Sequence, residues 1–162
     1  LDLLLKAMAE PELAKMDNVK LIIAGEFYGD SAPYFKLISD LNLETRVVLR
    51  TDYIPNEAIN SYFCASDLIV QPYKTATQSG VTQIGYHFGK PMLVTNVGGL
   101  PEIIGDKVSG YVVEPNEKSI AQAIADFYNN NRYDSFAAAT LERKKDFEWD
   151  KLTQAIINLS KA

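Results

Sequence analysis

Apolar and polar positions along this chain alternate between helical spacing and short, mostly apolar runs. Leu1, Leu4, Leu5 and Met8 share one helix face, and Pro11 interrupts that helix. The short runs suit strands that are buried on both faces. The pattern predicts strands over residues 19–24, 47–49, 67–71, 91–95 and 111–113. It predicts helices at the start of the chain, over residues 34–41, after Pro55, over about 80–88 and after a cap at Asn116. Two more helices follow, and the last of them begins at Asp150.

Strands that alternate with helices pair in parallel. The fold class predicted is therefore α/β, a doubly wound, Rossmann-like sheet of about five parallel strands flanked by helices. The 162 residues suit one domain, and 47% apolar with 23% charged residues is an ordinary globular balance.

The charge and the cysteine count exclude several classes of protein. A net charge of −5 argues against a nucleic-acid partner or binding to an anionic membrane surface. No apolar run approaches the ~18 residues that a membrane-spanning helix needs. Cys64 is the single cysteine, which rules out an internal disulfide and favours a reducing compartment, so we expect a cytoplasmic location. Membrane association of the full-length protein stays open.

Three glycine-containing loops follow predicted strands, at residues 24–30, 75–80 and 96–99. Ligands of open parallel sheets bind beyond the carboxyl ends of the strands, where all three loops meet. The middle loop, "TATQSG", leads into a helix whose free N–H groups and dipole favour an anion. This combination predicts a phosphate or diphosphate site, although each loop taken alone could serve only to turn the chain.

Side chains of the middle loop fit that chemistry. Gly80 leaves room for close approach, and Thr77, Gln78 and Ser79 add hydrogen-bond donors. The pair Gly98–Gly99 lets a second backbone segment approach from the side.

Other polar candidates have two readings each. Lys74 lies at the same rim and could reach a phosphate, or it is a solvated lysine. Glu102 could contact a ligand, or it is an acid that stabilises a first helical turn. His87, the single histidine, has no Cys or His cluster around it, so no metal site is predicted.

The stretch "SDLIVQPYKTATQSGVTQIGYHFGKPMLVTNVGGLPEIIGDKVSGYVVEP" resembles the donor-binding, C-terminal half of retaining glycosyltransferases of family 4, also called group 1, with the GT-B fold. Upstream, "VKLIIAGEFYGD" and "VVLRTDYIPNEAINSYFCAS" resemble further family segments, so the likeness extends to about Phe127. The order of the motifs is specific, whereas any one motif is not.

The resemblance implies a donor-binding domain over residues 1–162, which begins inside a longer two-domain protein because Leu1 is not a Met. The whole protein would transfer a sugar from a nucleotide sugar (UDP or GDP) to a glycan or lipid-linked glycan, with retention and with neither metal nor cofactor. Backbone amides at Ser79, Gly80 and Val81 would hold the diphosphate, while Tyr53 and Ile54 would border the nucleobase. The complete set of expected substrate-binding residues is Gly25, Tyr53, Ile54, Lys74, Thr77, Gln78, Ser79, Gly80, Val81, Gly98, Gly99 and Glu102.

Two departures from the family pattern stand out. The family's pair of glutamates is missing; depending on register, the matching positions hold Ala76 or Thr77 and Ile84 or Gly85. The family's Arg and Lys for the diphosphate, together with its first strand and the N-terminal acceptor domain, would precede Leu1. We therefore assign no catalytic residue and expect this fragment alone to be inactive. The alternatives are a non-catalytic nucleotide-sugar-binding or signalling module and a GT-B sugar-nucleotide epimerase.

The family's first strand would lie between residues 19–24 and 67–71. A gap there would leave several buried backbone groups unpaired, at about 1–3 kcal/mol each. We therefore expect those two strands to pair directly, in the order 47–49, 19–24, 67–71, 91–95, 111–113. A strand from a neighbouring chain is the alternative.

Overall fold

A computed structural model describes residues 1–147, 153 and 156–158. The predicted last helix, opening at Asp150, begins outside the described residues. The strands are β1 (Leu21–Ala24), β2 (Val47–Arg50), β3 (Ile69–Gln71), β4 (Met92–Thr95) and β5 (Gly110–Val113). The helices are α1 (Asp2–Ala9), α2 (Pro11–Ala14), α3 (Ala32–Asp40), α4 (Asn56–Ala65), α5 (Gly80–His87), α6 (Leu100–Ile103), α7 (Glu117–Asn129) and α8 (Tyr133–Lys144), followed by a 3₁₀ turn at Lys145–Phe147.

Local sequence signals set several of these boundaries. Pro11 is the first residue of α2, where its missing N–H costs nothing. Asn116 caps α7, as predicted, by accepting a 2.9 Å hydrogen bond from the Ser119 N–H. The α/β class with parallel strands is therefore confirmed.

The five strands form two separate parallel sheets. In one sheet β1 pairs with β2, with Leu21 opposite Val47. In the other, β4 lies between β3 and β5. The predicted direct pairing of β1 with β3 is wrong. Between those strands lies a cavity of about 810 Å³, which we call the slot. Its lining residues come from β1 and β3, from α1 and α7 on one side, and from Phe63 of α4 and Val81 of α5 on the side opposite to α1 and α7.

The core lies on both faces of the second sheet, as a doubly wound fold requires. All four residues of β4 are buried. Leu93 joins an apolar cluster with α1, α2 and α7, whereas Met92 and Val94 join a second cluster with α5 and α6. Helices of the two clusters therefore cover opposite faces of this sheet.

The first sheet is covered on one face only, which corrects the expectation that every strand is buried on both faces. Burial alternates along β1 and β2, and the side chains of Ile22 and Val48 are 39% and 37% exposed. Helix α4, which follows β2, contributes no buried residue. The uncovered face lies next to the slot.

Candidate functional site

The start of α5 is the best-formed polar feature at the carboxyl ends of the strands. Ser79 caps the helix, because its Oγ accepts a 3.2 Å hydrogen bond from the Val81 N–H. The same Oγ lies 3.2 Å from the hydroxyl of Tyr73, and the carbonyl of Ser79 accepts from the hydroxyl of Thr82. These contacts fix the direction in which the first turn of α5 points.

An open basin of about 630 Å³ lies over this helix start, and it is lined by Tyr73, residues 75–81 and Ile84. A Cβ added to Gly80 would meet no atom within 4 Å, so the backbone of Gly80 faces open space. The structure thus brings together five of the predicted residues: Thr77, Gln78, Ser79, Gly80 and Val81.

The loop of residues 75–79 packs against the turn at Gly98–Gly99. The Gly99 N–H donates a 2.9 Å hydrogen bond to the carbonyl oxygen of Thr77. Gly98 has φ +54°, and a Cβ there would lie 1.8 Å from the carbonyl oxygen of Ala76. Both glycines therefore support the basin from outside, and neither lines it.

The other glycine loop lies at the neighbouring edge. Gly25 follows β1 with φ +123°, and its N–H donates to the carbonyl of Arg50 at 2.9 Å. Gly25 lines the slot. Tyr53 and Ile54 follow β2, and the Tyr53 side chain is 68% exposed. These three residues are outside the lining of the basin, on the side of the first sheet.

Lys74 is held at the rim by an ion pair. Its Nζ lies 2.8 Å from Oδ2 of Asp2, the first residue of α1. The hydrogen bond and charge of Asp2 raise the pKa of Lys74. Burial alone would raise the pKa of Asp2, but Lys74 and the N-terminal ammonium outweigh burial and lower the pKa of Asp2. Lys74 therefore lies in an exposed ion pair beside the basin and does not line it.

Glu102 is exposed in the first turn of the short helix α6. It lines neither the slot nor the basin.

Sequence reasoning missed two residues of this region. Tyr73 lines both cavities, and its carbonyl accepts a 2.6 Å hydrogen bond from the Thr95 hydroxyl on β4. Asp2 reaches Lys74 across 72 positions of sequence. Tyr73 lies directly between a strand and the polar loop "KTAT" at residues 74–77, and this position was the available signal for it. No local pattern signalled the role of Asp2.

The residues of the basin favour anion binding over acid–base catalysis. Helix N–H groups and hydroxyls surround it, and no carboxylate or imidazole is among its lining residues. Among the described residues, no group of three or more His, Cys, Asp or Glu side chains is placed to hold a metal ion. No helix in the described part of the chain is both long and apolar enough to cross a membrane.

A family model described as glycosyl transferases group 1 matches residues 1–130. The chain belongs to this family. An uncharacterized glycosyltransferase of Methanocaldococcus jannaschii is 26% identical over 165 residues, which cover 99% of this chain and 41% of that protein. The chain thus spans about two fifths of that relative.

Solved structures of glycosyltransferases share the fold. The Anabaena protein HepE in complex with UDP has a TM-score of 0.81 and 21% identity, over 99% of this chain and 44% of that one. The C-terminal domain of a glycosyl transferase group 1 family protein from Francisella tularensis has a TM-score of 0.78 and 18% identity, over 90% of this chain and 77% of that one. The prediction of a group 1 glycosyltransferase with the GT-B type of fold is therefore confirmed.

Proposed function

We propose that this chain is the donor-binding domain of a glycosyltransferase and that the diphosphate of a nucleotide sugar binds in the basin, over the start of α5. The observation that carries the proposal is the free helix start. The first N–H groups of a helix have no partner within it. The Val81 N–H is capped by Ser79, whereas the Gly80 N–H has no acceptor among the described residues, and Gly80 lines the open basin.

The neighbouring loops suggest how the rest of the donor lies. The two strands of the first sheet are followed by Gly25 and by Tyr53 and Ile54. The Tyr53 ring is exposed, so the nucleobase of the donor would contact this ring. UDP is the first nucleotide to test, because the similar Anabaena protein was solved with UDP.

The chemistry proposed for the whole protein follows from this placement. Transfer of the sugar, with retention of configuration, leaves a nucleoside diphosphate whose negative charge the α5 amides would stabilise without a metal ion. The acceptor, a glycan or lipid-linked glycan, would bind to a part of the protein outside this chain. The 162-residue chain alone would bind the donor but transfer nothing.

A second candidate is a binding module without catalysis, and one observation favours it. The two positions expected to carry glutamates hold neutral residues, and the basin has no acidic side chain in its lining. Transfer by the full-length protein decides between the two: release of nucleoside diphosphate that depends on an acceptor supports the enzyme, and its absence with intact donor binding supports the module.

Donor binding itself is tested by titrating the 162-residue chain with UDP, GDP, ADP and the matching nucleosides. Ligand-detected NMR measures the binding of each compound. We expect a diphosphate to bind more tightly than its nucleoside, since the amides contact phosphate. Because no lysine or arginine is among the lining residues of the basin, we expect dissociation constants weaker than micromolar. Submicromolar binding, or equal binding of nucleoside and diphosphate, would contradict this account.

A further inference from the structure

Helices α5 and α6 both begin beside the basin. Gly80 is the first residue of α5 and lines the basin. Helix α6 begins directly after Gly99, whose N–H donates a 2.9 Å hydrogen bond to the carbonyl of Thr77 in the basin wall. The placement of α6 relative to α5 therefore decides where the loop of residues 75–79 lies with respect to the first amides of α5.

The last turns of the two helices meet at one carbonyl group. Tyr86 in the last turn of α5 is 1% exposed, and its hydroxyl donates a 2.6 Å hydrogen bond to the carbonyl of Ile103, the last residue of α6. The last carbonyls of a helix have no partner within it. Because a helix of four residues has little stability of its own, contacts such as this one set its direction.

Arg143 of α8 contacts the same group. Its Nη2 donates to the Ile103 carbonyl at 2.9 Å and to the Glu102 carbonyl at 3.5 Å, and its Nε donates to the Tyr86 hydroxyl at 3.4 Å. A cation is favoured at the carboxyl end of a helix, and the planar fork of a guanidinium fixes direction as well as distance. We call the Arg143 side chain, the Tyr86 hydroxyl and the Ile103 carbonyl the clamp.

Helix α8 has other anchors besides the clamp. Phe136 packs into the apolar cluster with α7, and the Thr140 hydroxyl donates to the Ser109 carbonyl at 3.2 Å. Lys144, the residue after Arg143, donates to the His87 carbonyl directly after Tyr86 at 3.3 Å. Since these contacts hold α8 against the rest of the fold, a change at Arg143 acts first on α6.

We propose that Arg143 is a positioning residue for nucleotide binding, an inference that rests on the proposed function. Through the clamp it fixes α6 against α5, and the bond from Gly99 to Thr77 passes this placement on to the loop of residues 75–79. The loop is then held where a diphosphate can reach the first amides of α5. Arg143 does not line the basin, and it lies beyond residues 1–130, which the family model matches.

The first measurement is amide hydrogen exchange in the 162-residue chain without nucleotide. Arg143→Met should speed exchange at the Gly99 amide by on the order of tenfold, because α6 loses an anchor and the bond to Thr77 opens more often. The Ser119 amide, which the cap of α7 holds, serves as the internal control and should not change. Unchanged exchange at Gly99, or an equal increase at Ser119, overturns the proposal.

The second measurement is UDP affinity by calorimetry, at a temperature where each variant is folded. Arg143→Met should weaken UDP binding by on the order of fivefold. Arg143→Lys keeps the charge without the planar fork, so it should recover part of the loss. The matched control is Lys144→Met, which removes the neighbouring charge and a contact with the end of α5, and it should stay within about twofold of wild type.

Tyr86→Phe tests the clamp from its other side and serves also if Arg143→Met does not fold. It keeps the buried ring and removes only the hydroxyl, so it should weaken UDP binding in the same direction. If wild type binds UDP and the clamp variants bind it equally well, or if Lys144→Met weakens binding as much as Arg143→Met, this inference is overturned and the donor site stands. If wild type does not bind UDP, the proposed function fails and this inference fails with it.

Discussion

The Gly99 N–H donates a 2.9 Å hydrogen bond to the carbonyl oxygen of Thr77, which joins the loop after β4 to the loop before α5. At the adjacent position, a Cβ on Gly98 would lie 1.8 Å from the carbonyl oxygen of Ala76. The shape of the basin therefore depends on two glycines that lie outside it. Their absent side chains are what let the two loops touch.

Gly98→Ala should distort this contact. The substitution forces a side chain onto a backbone with φ +54° and into the Ala76 carbonyl, so we expect a loss of about 2–4 kcal/mol in the free energy of unfolding and a loss of UDP binding. Urea denaturation and calorimetry measure the two effects. The matched control is Gly29→Ala, whose Cβ meets no atom within 4 Å, and it should stay within about 0.5 kcal/mol of wild type. Equal unfolding midpoints for the two variants would refute the loop contact as a determinant of stability.

Gly80→Glu should separate folding from binding. An acid in the first turn of a helix is stabilising by about 0.3–1 kcal/mol, so the fold should persist. The same carboxylate enters the basin where a diphosphate would lie, so UDP binding should vanish. Gly80→Gln, of similar size but neutral, should weaken binding less, and Gly80→Ala should weaken it least, since its Cβ meets open space. Wild-type affinity in Gly80→Glu would place the diphosphate elsewhere.

Much of the local structure was predictable because it follows from signals a few residues apart. Pro11 starts α2, Asn116 caps α7, and the Ser79–Gly80 pair starts α5, as their residue types indicate. The packing of Gly98 on Ala76 and the pairing of Asp2 with Lys74 join distant parts of the chain, so no local pattern revealed them.

The strand order could not be predicted from the strands themselves. The direct pairing of β1 with β3 was expected from the cost of unpaired backbone groups, but the structure keeps the two edges apart. Apolar residues of α1 and α7 pack into one core with both sheets and hold β1 and β3 on either side of the slot.

Ser79→Ala should cost about 0.5–2 kcal/mol, because it removes the cap of α5 and the contact with the Tyr73 hydroxyl. It should also weaken UDP binding, since the first turn of α5 loses its anchor. Asn116→Ala removes the equivalent cap of α7, whose Ser119 N–H lies outside both cavities, and should cost a similar free energy without changing UDP affinity. Thermal unfolding and calorimetry on both variants test this, and equal effects on UDP affinity would mean that Ser79 acts only through stability.

Tyr111→Phe should reduce stability in a way that depends on pH. The Tyr111 hydroxyl donates a 2.6 Å hydrogen bond to Oδ2 of Asp126, and this bond, aided by Arg132, lowers the pKa of Asp126. A lowered pKa of Asp126 stabilises the folded protein at any pH above the ordinary pKa of an aspartate. This contribution is lost as the pH falls through the lowered pKa of the folded state. Because the Asp126 side chain is 40% exposed, we expect a loss of only about 1 kcal/mol at neutral pH.

Urea denaturation of wild type and Tyr111→Phe across the acidic range measures this difference, which should shrink as Asp126 becomes protonated. In the Asp126→Asn background, the effect of Tyr111→Phe should no longer change over that range. A difference that is constant with pH would show that the lost hydroxyl acts independently of the Asp126 charge.

The most direct test of the donor site is the response of backbone amides in the isotope-labelled 162-residue chain to UDP. We predict that the largest NMR shift changes fall on the amides of Ser79, Gly80 and Val81, with smaller changes at Gly25 and Tyr53. Inorganic phosphate should shift the same α5 amides and leave Tyr53 unaffected. Changes confined to residues away from the basin, or no change at millimolar UDP, would contradict the assignment of this helix start as the diphosphate site.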